Sequence, residues 1–456
     1  MSIADIHVLV RATVKDIRSV NSLRFRALRA SAWTMAGYAT SQVLRLGGNL
    51  LLTRLLFPEA FGLMALVQSV MSGLSMFSDL GVEASIIQNK RGHEETFINT
   101  AWTVQVIQGF GIWVLVSGLA IPIARFYHEP LLARLLPVAG FGAVLGGLAS
   151  TNLSLVARTL ALRQRVVIEV GSYFIGLVVM IIWAWIDHSI WSLVFGSLIS
   201  ALAKTVSSHM MSGGIRNRIA FESDCFKELF RFGQWVLVSS MITFIAGEGN
   251  KLLVGAFLGV RELAFFTLAS TLSLLFWQVI QQLNAKVLFP AYSEVARERP
   301  ERLKAVARRT RLILIVPGWL LALFFVLWGN HLMWILYDRR YAESGYMLQM
   351  FGLGALVGTL TGSYIGLLWS KGLVRTNTIL LGVQVLIQIG GMVIGDHFLG
   401  ERGVVLSAAA VGWLLYPVTA YVHARVDLWQ PEIDLPIIAV SAVILFLSFG
   451  TIYHRV

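Results

Sequence analysis

Apolar runs of roughly 20 residues recur from one end of the chain to the other, each closed by a short polar break. Wound as an α-helix, a run of that length matches the ~30 Å hydrocarbon core of a bilayer. Read this way, spans fall at about 32–54, 60–82, 98–121, 132–155, 169–186, 190–210, 233–258, 263–286, 310–330, 346–369, 376–395, 403–423 and 435–453. Strands of a membrane barrel would alternate apolar and polar positions, and these runs do not. The fold class is therefore all-α. The pattern predicts a polytopic membrane protein of two six-helix bundles with about one extra C-terminal span, within 12–14 transmembrane helices in all.

The polar breaks divide the chain further. Residues 1–30 form a cytoplasmic segment in which Ile3, Ile6, Val10, Val14 and Ile17 recur at helical spacing, with Arg11, Lys15 and Arg18 between them. That pattern predicts a short interfacial helix on the inner leaflet. The first bundle is expected over 31–212, a cytoplasmic linker over 213–232, the second bundle over 233–425 and the additional span within 426–456.

Composition agrees with this reading. The 456 residues are 56% hydrophobic and 14% charged, and the mean hydropathy is +0.72. An ordinary soluble domain is about a quarter charged. The net charge of +12 reads as topology rather than nucleic-acid binding. With the N-terminus in the cytoplasm, Lys and Arg on the cytoplasmic side outnumber those outside by about threefold. The densest cytoplasmic cluster runs from Arg297 to Arg311 and is expected to meet anionic headgroups. The single cysteine, Cys225, excludes an internal disulfide framework.

Catalytic signatures are missing. "GEGNK" at Gly247–Lys251 lacks the spacing and the Ser or Thr of a phosphate-binding loop. The nine His are scattered, and no outer loop carries paired carboxylates placed for glycosyl transfer. The chain is expected to be no enzyme and to use no cofactor or metal.

Two stretches resemble each other. "GGNLLLTRLLFPEAFGLMAL" starts at Gly47 and "GEGNKLLVGAFLGVRELAFFTL" at Gly247. Each closes one span, turns, and opens the next with Glu59 or Glu262. Each straddles the first two spans of its set of six, so a parallel repeat is expected, an architecture of transporters.

Charges deep in apolar spans are costly and tend to mark function. Arg45 lies in the first span, Glu248 and Lys251 in the seventh, and Lys204 and Lys286 nearer the cytoplasmic ends of the sixth and eighth. Glu248 and Lys251 are three apart and share a helix face. A structural ion pair and a face lining a water-filled path are both open readings, and the two other lysines have the option of snorkelling. With Asn250 of the repeated Gly/Asn motif, the candidate substrate-binding set is Arg45, Lys204, Glu248, Asn250, Lys251 and Lys286. Its balance is cationic, which suits an anionic cargo.

"LTRLLFPEAFGLMAL", "SDLGVEASIIQNKRG" and "KVLFPAYSEVARERPERL", with "FINTAWTVQVIQG" and the segment ending in "GEGNKLLVG", resemble the oligosaccharide flippase or polysaccharide transporter (Wzx-type) family. That family belongs to the superfamily that also holds the multidrug extruders and lipid II flippases. The resemblance covers roughly residues 22 to 425. It implies a bacterial inner-membrane carrier that moves polyprenyl-pyrophosphate-linked glycan, or related polysaccharide, to the outer leaflet by alternating access. It also implies membrane lipid and polysaccharide polymerase or export proteins as partners, and no nucleic acid. The family's cationic cavity would fall on Arg45, Lys251, Lys204 and Lys286. Two alternatives compete. A cation-coupled multidrug exporter would need deep acidic residues, of which Glu248 is the one candidate. A membrane-embedded glycan polymerase or transferase would need a large outer loop.

Overall fold

The computed structural model describes residues 23–159, 161–211, 215–283, 288–337 and 339–453. The N-terminal interfacial helix expected before residue 23, and Lys286, lie outside the described residues. The described helices are α1 (Leu23–Leu55), α2 (Pro58–Phe77), α3 (Val82–Gln88), α4 (Glu95–Phe126), α5 (Leu132–Leu148), α6 (Asn152–Arg158), α7 (Leu162–Ile186), α8 (Trp191–His209) and α9 (Ser223–Leu258). They continue with α10 (Val260–Leu283), α11 (Phe289–Glu298), α12 (Leu303–Leu336), α13 (Ser344–Gly362), α14 (Ile365–Ser370), α15 (Val374–Leu399), α16 (Glu401–Arg425) and α17 (Pro431–Tyr453).

Within the described residues, each span read from the sequence overlaps a helix or a broken helix pair. Among the described residues, eight helices are long and apolar enough to cross a membrane, or ten when each of two bent pairs counts as one span. One such pair is α5 and α6, bent by 57°. The other three expected spans lie on α1, α8 and α10, which carry more polar side chains. Large apolar residues stand on outer faces, among them Ile107 and Val114 of α4, Trp185 of α7 and Phe446 of α17. In water such surfaces would associate; in a bilayer they meet lipid tails. The chain is a multi-pass membrane protein.

The chain folds as two compact units. The first comprises residues 1–56 and 70–241, the second residues 57–69 and 242–456, so α2 and α9 each contribute to both.

In the first unit α4 packs along α5, α7 along α8 and α1 along α7. A Cβ on Gly109 would meet Ala143 O at 2.5 Å, so small residues set the α4–α5 approach. Charged side chains gather around α3. Arg158 Nη1 donates to the Ile86, Ile87 and Asn89 carbonyls, satisfying the end of that helix. Arg165 pairs with Glu83 and with Glu169, the latter at 2.9 Å. At the start of α3, Gly81 takes φ 60, and its N–H donates to Asp79 Oδ1 at 2.8 Å.

In the second unit α13 is the central element. It packs against α12, α16, α10 and α17, and nearly all its residues are buried. Gly354 and Gly412 allow α13 and α16 to touch: a Cβ on Gly412 would lie 2.6 Å from Gly354 O. The additional C-terminal helix α17 is fastened to this unit by a buried ion pair. Arg311 Nη2 donates to Asp434 Oδ1 at 2.7 Å, and both side chains are fully enclosed. Arg311 Nε reaches Ser363 Oγ at 2.9 Å and Nη1 reaches Gln430 Oε1 at 3.1 Å. The guanidinium sits 3.5 Å from the ring centre of Tyr364. Tyr364 and Tyr416 donate their hydroxyls to Asp434 Oδ2, at 2.6 and 3.0 Å. The sequence reading placed Arg311 with the exposed cytoplasmic cluster. It is instead turned inward, because a carboxylate eighteen residues after Tyr416 gives its charge a partner.

Candidate functional site

The "GEGNK" stretch forms part of α9 in the second unit. Lys251 Nζ donates to Glu248 Oε2 at 2.8 Å and Oε1 at 3.1 Å, as three-apart residues on one helix face permit. Ser69 Oγ, fully buried, donates to Glu248 Oε2 at 3.0 Å. Both charged side chains are 29% exposed. The pair is thus locally neutral and partly accessible.

Lys251 and Asn250 line a cavity of about 300 Å³ inside the second unit. Its remaining wall comes from α10, α12, α13, α15 and α16. Ser273 and Trp277 are four apart on α10, and Gln384 and Gln388 are four apart on α15, so each pair presents one helix face. Gln388 is only 8% exposed. Among the described residues, none hydrogen-bonds to the side chains of Asn250, Ser273, Trp277, Gln384 or Gln388. The hydroxyl of Thr361, another wall residue, is buried without a partner. Apart from Asn250, taken from the repeated Gly/Asn motif, the sequence reading followed charge, so it missed the rest of this neutral polar set. The legible signal was the four-residue spacing of Ser/Trp and Gln/Gln inside otherwise apolar spans.

The other candidates lie elsewhere. Arg45, in the first unit, is exposed, and no ion pair or hydrogen bond to it occurs among the described residues. Lys204, also in the first unit, stands 4.0 Å from Glu169 Oε1, which Arg165 shares, so its charge already has a partner. Among the described residues no group of His, Cys, Asp and Glu could hold a metal ion. The groups that line the site are hydrogen-bonding side chains and the Glu248/Lys251 ion pair.

Comparison with known proteins places this arrangement. The chain is 23% identical over 322 residues to the succinoglycan biosynthesis transport protein ExoT of Rhizobium meliloti (strain 1021), covering 69% of this chain and 63% of that protein. It is 21% identical over 436 residues to the lipopolysaccharide biosynthesis protein WzxC of Escherichia coli (strain K12), covering 92% and 88%. Among solved structures, the lipid II flippase MurJ in an inward closed conformation matches with a TM-score of 0.67 at 15% identity, over 93% of both chains. An inward-facing multidrug resistance transporter of the MATE family matches with a TM-score of 0.64 at 14% identity, over 84% of this chain and 94% of that one. The fold is thus the one these transporters share. Residues 51–345, well over half the chain, match a family described as polysaccharide biosynthesis protein, and the chain belongs to that family.

Proposed function

We propose that this protein carries a lipid-linked glycan, a polyprenyl-pyrophosphate-linked oligosaccharide or related polysaccharide intermediate, from the cytoplasmic to the outer leaflet of a bacterial inner membrane. The observation that carries this reading is the polar cavity set among membrane-crossing helices in a chain of the polysaccharide biosynthesis family. Hydrocarbon surroundings penalise such polar groups, so their retention fits passage of a polar cargo. Relatives bear the names of a succinoglycan transport protein and an O-antigen transporter, in keeping with the same role. Arg45 and Lys251 would meet the pyrophosphate or acidic sugars, with Glu248 moderating Lys251, and Asn250 would contribute hydrogen bonds. Lys204 and Lys286 complete the proposed cationic set. The N-terminus and the Arg297–Arg311 segment would face the cytoplasm, and transport would proceed without ATP hydrolysis by this chain. Polymerase or export proteins would take the delivered glycan onward.

A cation-coupled drug exporter shares the fold but fits the charges less well. Its cationic cargo would need a free carboxylate, and Glu248 is already neutralised by Lys251. The test is mass spectrometry of lipid-linked glycans in a deletion strain. The expected result is accumulation of a polyprenyl-linked glycan, reversed by the wild-type chain. An unchanged glycan pool with altered drug resistance would favour the exporter.

A further inference from the structure

We propose that the cavity of the second unit is a saccharide subsite, which takes one neutral, hydroxyl-rich sugar ring of the cargo by hydrogen bonding rather than by charge. This rests on the glycan-carrier reading above and adds to it the part of the cargo that the cavity recognises.

Three observations select this ligand class. The first is the unmet hydrogen-bonding capacity. An amide or hydroxyl left without a partner in apolar surroundings costs about 1–3 kcal/mol. Here Asn250, Ser273, Gln384 and Gln388 point such groups into one space, with the indole N–H of Trp277 and the enclosed hydroxyl of Thr361 in the same wall. Amides both donate and accept. A sugar hydroxyl does the same, so one ring can meet several of them at once. A phosphate or carboxylate only accepts, so it would engage the N–H and O–H donors of this wall and leave the amide oxygens unmet.

The second observation is charge. The cation in the wall, Lys251, is held at 2.8 and 3.1 Å by Glu248, so the pair contributes no net charge. An anion that approaches Lys251 must compete with Glu248, so the neutral hydrogen-bonding groups of the wall carry the recognition of the ring, and Lys251 adds a contact to acidic cargo only as Glu248 releases it. Arg45, in the first unit, is exposed and has no ion pair among the described residues, so it remains the better candidate for the pyrophosphate.

The third is shape. The volume of about 300 Å³ lies at the lower end for ligand pockets and suits a single sugar unit rather than an oligosaccharide. Trp277 supplies a flat apolar surface for the C–H face of a pyranose. Gly362 makes room for that indole, since a Cβ there would collide with its Cζ3. A site built from oriented hydrogen-bonding groups also discriminates between sugars that differ in one hydroxyl.

The experiment uses the full-length protein in lipid nanodiscs. Saturation-transfer NMR is run with methyl glucoside, methyl galactoside and N-acetylglucosamine as neutral probes and with inorganic pyrophosphate as the charged probe. Gly358 lines the cavity with open space around its would-be Cβ, so Gly358→Leu fills the cavity without a backbone clash. At least one neutral sugar should bind the wild type. That binding should vanish in Gly358→Leu and weaken about tenfold in Gln388→Leu, with the pyrophosphate signal unchanged. The inference is overturned if no neutral sugar binds the wild type, or if sugar binding survives in Gly358→Leu. Loss of pyrophosphate binding in place of sugar binding overturns it too. Should Gly358→Leu fail to fold, Gln388→Leu and Ser273→Ala decide by the same readout. The carrier reading fails separately, when a deletion strain accumulates no lipid-linked glycan while sugar binding by the purified protein persists.

Discussion

The second unit contains two polar regions set among apolar helices, and they are built on opposite rules. Around Arg311 and Asp434 every charged atom has a partner: Ser363, Gln430, Tyr364 and Tyr416 complete the shell, and Trp429 Nε1 in turn donates to Tyr416 at 3.2 Å. In the cavity the amides of Asn250, Gln384 and Gln388 find no partner among the described residues. A saturated network fixes structure, because nothing is left over to bind. An unsaturated one keeps its capacity for something that enters. Two polar sites in one bundle can therefore be assigned opposite roles by asking which of them is complete.

The largest effect is expected from breaking the complete network. Arg311→Met or Asp434→Leu alone would leave an uncompensated buried charge, at a cost of about 3–5 kcal/mol. Each single variant should show a much lower thermal midpoint in detergent and reduced membrane levels. The double variant Arg311→Met with Asp434→Leu should recover most of the loss, since replacing both partners removes the stranded charge. A single variant with the wild-type midpoint would end the claim that this pair fastens α17.

Next come the charges proposed to meet the cargo. Arg45→Ala and Lys251→Ala should abolish glycan export at unchanged protein levels in the membrane. Lys251→Arg should retain part of the activity, because the charge survives with altered geometry. Normal export by both alanine variants would make these residues structural, and the Glu248/Lys251 pair would then resemble the Arg311 cluster rather than contrast with it.

The sequence made much of this legible, for reasons that differ by region. Spans such as 98–121 and 435–453 were readable because the bilayer imposes length and apolarity on any helix that crosses it. The Glu248–Lys251 pair was readable because helix geometry alone brings three-apart residues together. Arg311 was misread because its partner, Asp434, lies more than a hundred residues away. No local pattern distinguishes an arginine that snorkels to an interface from one that turns inward to a distant carboxylate. The cavity was missed for a related reason. Ser273, Trp277, Gln384 and Gln388 carry no charge, and only the packing of α10 against α13 and of α15 against α16 makes them neighbours of one space.

A smaller effect should separate the two regions by sign. Gln388→Leu replaces an unpartnered amide with an apolar group of similar size. Such a change is near neutral or stabilising, within about 1 kcal/mol. Its thermal midpoint should equal or exceed that of the wild type, although sugar binding weakens. A clear fall in the midpoint would mean that the amide is satisfied within the fold and that the cavity belongs with the saturated network.

The smallest effect is expected where a polar contact lies outside both regions. Asp427, in the turn after α16, accepts from Lys304 Nζ at 3.0 Å, with side-chain exposures of 91% and 45%. The hydrogen bond from Lys304 and its charge, with a further contribution from Lys371, hold the Asp427 carboxyl below its usual range. A carboxylate whose folded-state pKa is depressed stabilises the fold above its unfolded pKa and loses that contribution as pH falls through the folded value. The stabilisation is therefore complete at neutral pH and disappears on acidification below the ordinary carboxylate range. Its size is small, because water and salt screen so exposed a pair. Lys304→Ala should leave export unchanged and lower the thermal midpoint slightly or not at all at pH 7. Any difference from wild type should shrink in high salt and vanish at low pH. A large, salt-insensitive loss would show that the Lys304 side chain itself supports the buried shell beside it, where the Lys304 carbonyl accepts from Gln430 Nε2 at 3.1 Å in wild type and variant alike. The saturated network would then extend to the surface of the unit, and the boundary drawn here around Arg311 and Asp434 would be too narrow.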